Sequence, residues 1–327
     1  MSNLDTHPDL TVGRTVADEH AVAELFAPRD VPLGGLRGIH VDRLLPQRSL
    51  PTVDAWCFLD LFGPDHNPMR VLPHPHTGLQ TVTWPLAGEI HHRDSVGSDE
   101  LVRPGQLNLM TGGHGVSHSE ISTADGSALH GLQLWVALPT DALDMAPAFE
   151  RHVELPEYAD GGVRATVLVG ELGAAVSPAT VHTPMVGADL LVSGGATDLP
   201  LRQNFEHALL PIDGPLTVSG IAVPPGRMLY LGTGRAELTL AVEQGQAPVR
   251  AVLLGGEPFP DELVMWWNFV GRSHEDIATA RADWEDPDQT RFGVVAGHDG
   301  ERIPAPELPT VRLMPRRHRL RRRATER

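Results

Sequence analysis

The 327-residue chain carries 26 basic and 42 acidic residues, a formal net charge of −16, and every basic residue is arginine. A body this acidic repels phosphate backbones, which excludes a broad nucleic-acid surface. The single cysteine, Cys57, excludes an intrachain disulfide, and no run approaches the roughly 20 apolar residues of a membrane-spanning helix.

Residues 1–35 read as a polar, acidic N-terminal arm with helical character from Ala17 to Phe26. The first residues lack the basic and apolar regions of a signal peptide, so the expected location is cytoplasmic. From Gly38 short apolar runs alternate with glycine- and proline-bearing turns, the pattern of many short strands. Trp56 to Phe62 reads as a buried strand stopped by Gly63-Pro64-Asp65, with His66 a solvated loop residue.

Two tight pairs of metal-binding side chains follow, in His74-Pro75-His76 and His118-Ser119-Glu120. In a strand, residues i and i+2 point to one face. Each pair therefore aims two ligands at one point, and the pairs together offer three imidazoles and a carboxylate. That donor set suits one borderline divalent metal: iron, manganese, nickel, copper or zinc. On an octahedral ion it leaves two positions, enough for a chelating substrate and dioxygen together. Glu120 is also the candidate base for a substrate hydroxyl. His114, and one of His91 and His92, are expected at the cavity mouth behind the ligands.

The chain then repeats itself. Pro85-Leu-Ala-Gly88 followed by Pro104-Gly105 recurs as Pro211-Ile-Asp-Gly214 followed by Pro225-Gly226. Each half reads as hairpin, strand, Pro-Gly turn, strand, the pattern of a small antiparallel barrel made twice. The positions matching His74 and His76 are Pro200 and Arg202, so the second barrel is expected to hold no metal, and His207 reads as a packed residue. The expected division is an arm over 1–35, a metal-binding barrel over 36–145, and a second barrel over 146–303. The last includes one helix over 273–284, begun by the cap signature Ser273-His-Glu-Asp276. Residues 304–327 read as a Pro/Arg-rich tail without order, ending in an arginine run taken as solubilising rather than nucleic-acid- or membrane-binding.

The motifs between His74 and Trp135, with the later Leu253-Leu-Gly-Gly-Glu-Pro258 and Arg291-Phe-Gly293, resemble the pirins, a branch of the cupin superfamily. The resemblance runs from about Gly38 to about Val294 and implies an all-β bicupin of two jelly-roll-like barrels. It implies a single iron(II) held by His74, His76, His118 and Glu120. Gln80 stands where pirins often carry Glu, which puts acid/base help from that position in doubt. The activity implied is a dioxygenase of the quercetin 2,3-dioxygenase type, acting on a small aromatic chelating substrate and dioxygen. Pirins also imply an alternative, an iron-binding redox sensor that binds a transcriptional or metabolic partner protein.

Overall fold

The computed structural model describes residues 22–33, 39–123, 128–288 and 290–314. Its strands build the same two-sheet plan twice. The first large sheet runs Ala148–His152, Leu107–Thr111, Leu79–Ala87, Leu129–Ala137, Trp56–Asp65, Ile39–Leu45, Arg29–Leu33. A four-stranded sheet opposes it, ordered Arg70–His76, Val116–Ser122, Ile90–Asp94, Asp99–Val102. In the second half the large sheet runs Glu24–Phe26, Met228–Gly232, Glu206–Pro211, Val249–Gly256, Met185–Val192, Val163–Leu172, Glu157–Asp160, with Ala175–Val176 beside Val163–Leu172. Its small sheet is Gly195–Pro200, Glu237–Val242, Leu216–Val218, Ile221–Val223. The repeat read from the Pro-Gly turns thus extends to strand order. Each half is a pair of facing open sheets rather than one closed barrel, which is the jelly-roll form of the cupin architecture.

Alternation along the strands decides what each face buries. The odd-numbered Thr81 and Thr83 of Leu79–Ala87 share the face that reaches Glu120, to which the Thr83 hydroxyl donates at 3.4 Å. The even-numbered Val82 and Trp84 join Trp56, Phe58, Leu210, Tyr230 and Val252 in one apolar core that spans both halves. Trp84 Nε1 donates across the joint to Asp189 at 2.9 Å, and Arg250 clamps the same carboxylate. Leu129–Ala137, which looks amphipathic in sequence, is buried on both faces, because its other side packs Gln133 against Thr83 and Trp135 against His76 instead of meeting solvent.

Two expectations need correction. Helical character over 17–26 gives way to a strand at Glu24–Phe26, where an open sheet edge overrides local preference, and residues 1–21 lie outside the described set. The strand from Trp56 does not stop at Gly63. It continues to Asp65, with a register shift against Leu129–Ala137. Gly63 sits at φ +73 with the Leu129 carbonyl where a Cβ would be, so only glycine fits there.

The joint also buries a pair of carboxyl groups. Glu206 accepts from the Asp54 backbone N–H at 3.1 Å, and both side chains are fully covered. Burial pushes Glu206 up to about 7 from its ordinary 4.5, and burial together with Glu206 raises Asp54 well above the carboxylate range. A carboxyl whose pKa rises on folding stabilises the fold below its unfolded pKa and loses that contribution as pH climbs through the folded value. Chemical denaturation at about pH 5 and pH 8 should therefore show Glu206→Gln gaining on the wild type by up to about 3 kcal/mol at the higher pH. A pH-independent difference would show that Glu206 is already ionised in the fold.

Beyond the second sandwich the chain returns to the first. The hairpin Val264–Trp266/Phe269–Gly271 docks there through Val270 N–H, which donates to the Thr77 carbonyl at 3.0 Å. Gly78, at φ +68, lies so close that a Cβ would sit 2.2 Å from the Val270 carbonyl oxygen. The helix His274–Glu285 follows, opened by a full capping box between Ser273 and Asp276. It buries Ile277, Ala280 and Trp284 against Trp266, Phe269 and Phe292. Residues 304–314, read from sequence as the start of a tail, run along this helix, with Leu313 in the same cluster and Arg312 paired to Glu275. Among the described residues no helix is long and apolar enough to cross a membrane.

Candidate metal centre

Register, more than spacing alone, assembles the centre. His118 lies directly opposite His74 on one neighbouring strand and Asp94 on the other. Glu120 lies opposite His92, past a bulge between His118 and Glu120 that shifts the pairing with Arg70–His76. Cross-strand partners have Cβ atoms about 5 Å apart, so three i,i+2 pairs converge on one face: His74/His76, His118/Glu120 and His92/Asp94. The imidazole centroids of His74, His76 and His118 stand 4.3–5.1 Å apart. Two overlapping groups could hold a metal ion, His74 with His76 and His118, and His92 with His118 and Glu120.

The protonation pattern suits a cation. Burial pushes His74 down to about 4 and His76 and His118 well below the usual histidine range, so all three are neutral, the ligating form. His74 Nδ1–H donates to the Leu72 carbonyl at 2.8 Å and His76 Nδ1–H to the Asn268 carbonyl at 3.2 Å. Each ring therefore turns a bare Nε2 inward. His76 Nε2 and His118 Nε2 lie 3.1 Å apart. Two nitrogens about 2.1 Å from a common ion, at right angles, would lie about 3.0 Å apart. The residues present fit a divalent metal.

A second line of contacts stands behind His118. With Nε2 turned inward, its Nδ1–H donates to His92 Nδ1 at 3.3 Å, and His92 Nε2–H donates to Asp94 at 3.1 Å. The other Asp94 oxygen accepts from the backbone N–H groups of Val96 and Ser98 at 3.0 and 2.9 Å. His92 is stacked on Phe149, centroid to centroid 4.6 Å. Such outer contacts fix ligand tautomers, and losing one costs about 10–100-fold in metal affinity. Asp94→Asn should weaken the metal by that factor in a chelator competition while leaving the circular dichroism spectrum unchanged. Unaltered affinity would remove Asp94 from the arrangement.

Not every expected residue arrives. His114 is exposed and bonds the Met145 carbonyl. His91 turns outward to Asp99. Gln80 is buried on the far face of its strand, donating to Thr111 Oγ1 and the Thr180 carbonyl, and so does not face Glu120. His66 is exposed, as expected. Residues that sequence reading missed include Asp94, Thr83 and Gln133. Thr83 Oγ1 lies 3.0 Å from Gln133 Oε1 and 3.4 Å from Glu120 Oε1. The third i,i+2 signal, His92-Arg93-Asp94, stands in the sequence in the same form.

Residues 38–136 match the Pirin family model, and residues 188–293 match the pirin C-terminal cupin domain. The chain belongs to the pirin family. This pirin is 43% identical over 315 residues to a Pseudomonas aeruginosa protein named "Putative quercetin 2,3-dioxygenase", a match covering 94% of this chain and 98% of that one. It is 34% identical to a Caulobacter vibrioides pirin-like protein, across 83% and 96% of the two chains. A crystal structure of quercetin 2,3-dioxygenase from Acinetobacter baumannii superimposes with a TM-score of 0.83 at 40% identity, covering 88% of this pirin and 96% of that chain.

Proposed function

We propose that this pirin is a metal-dependent dioxygenase of the quercetin 2,3-dioxygenase type. The observation that carries the reading is a buried cluster of neutral imidazoles with a carboxylate, in a chain 43% identical to a relative named for that activity. His74, His76, His118 and Glu120 would hold one ion, iron(II) first, with manganese, nickel, copper and zinc accepted by the same donors. When bound, the ion supplies Lewis acidity and an electron path between substrate and dioxygen. The chain's own residues do the rest. Glu120 takes the proton of the flavonol hydroxyl, which raises electron density on the ring that reacts. Thr83 orients Glu120, and the His92–Asp94 pair holds the His118 ring. The net reaction adds both atoms of dioxygen, opens the central flavonol ring and releases carbon monoxide.

A second reading has its own support. His74, His76, His118 and Glu120 are all at most 1% exposed, and so deep a centre also suits an iron-binding redox sensor read by a partner protein. The deciding experiment is metal analysis of anaerobically purified protein followed by flavonol turnover. One metal per chain with measurable ring opening supports the enzyme. Full metal with no turnover sinks it and leaves the sensor.

A further inference from the structure

The second sandwich has a cavity at the end that corresponds to the metal centre. Its volume is about 280 Å³. Leu172, Val186 and Phe205 give it apolar walls, and Glu171, Arg202 and His207 bring polar groups. The repeat sets Arg202 where the first half has His76, since each lies nine residues before the matching proline, Pro211 or Pro85. Where one sandwich turns an imidazole toward a metal ion, the other carries a fixed positive charge.

Three details mark this as a built site. Arg202 is held over the Phe205 ring, 5.1 Å from its centroid, and contacts Glu171 through one terminal nitrogen. A guanidinium carries five N–H donors, so capacity remains for an anion. His207 is 1% exposed, yet its buried Nδ1 has no hydrogen-bond partner, an omission that costs about 1–3 kcal/mol. Burial, aided by the charge of Arg235, lowers His207 to about 4, so the ring is neutral and can donate one N–H. Arg202 and Glu171 are the charged groups among the lining residues, and Arg235 stands close enough to act on His207.

We propose that this cavity binds a small carboxylate with an aromatic or similarly compact apolar body, the carboxylate bonded to Arg202 and His207 and the body packed on Phe205, Leu172 and Val186. The site is separate from the metal centre and does not depend on the function proposed for it. Benzoate serves as the probe, titrated calorimetrically into metal-loaded wild type and into the same protein after chelation. Saturable binding at one site per chain is expected in both forms. Arg202→Gln and His207→Gln should each weaken it about tenfold or more, in line with a charge-assisted and a buried hydrogen bond. The neutral isostere benzamide should bind at least as poorly as benzoate binds the Arg202 variant. Absence of saturable heat, binding that vanishes with the metal, or affinity indifferent to both substitutions would each overturn the proposal.

Discussion

Glu120→Gln is expected to keep at least part of its metal and to lose roughly 10²-fold or more in flavonol turnover per bound ion, the usual range for a lost acid/base group. The amide preserves shape, so the Thr83 contact and the fit between the sheets survive. Negative charge and basicity go. If the protein is a sensor, turnover is negligible even in the wild type. The substitution should then alter partner affinity or its dependence on iron oxidation state. A Glu120→Gln protein with full metal and undiminished turnover would eliminate the base role.

His76→Ala should reduce metal content from one ion per chain to nearly none. His76 supplies one of two nitrogens that face each other across 3.1 Å, and it is locked there by the Asn268 carbonyl and by Trp135, whose ring lies edge-on at 5.1 Å. An alanine gives neither ligand nor a path for another donor to reach the gap. The exposed His66→Ala is the control and should retain its ion. Two ions per chain in the wild type, or full occupancy in His76→Ala, would overturn the ligand assignment.

What could be read from the sequence was periodic or local. The i,i+2 pairs place His74 with His76 and His118 with Glu120 whatever the rest of the chain does. The Ser273 and Asp276 cap sets the helix start without help from tertiary structure. What could not be read depends on register. Whether His91 or His92 turns inward is settled only by which of them faces Glu120 on the next strand, and parity then sends Gln80 away from the centre while Thr83 points into it. The Asn268 carbonyl that fixes His76 arrives from 192 residues along the chain, a distance no local pattern encodes. Gly63-Pro64 reads as a stop because its turn residues are strong signals, yet here they make a shift in pairing.

The strand Glu24–Phe26 is made before the other described strands, but it completes the second sandwich. Its partners Met228 to Tyr230 emerge roughly two hundred residues later. The entropy of closing so long a loop grows only logarithmically with length, but pairings between distant segments slow folding. The whole first sandwich is synthesised inside that loop, and the returning hairpin at Val264–Gly271 closes a second loop in the opposite sense. A proteolytic nick between the halves would therefore not release two modules. It would leave each half still holding a piece of the other's structure, and the two should melt in a single transition.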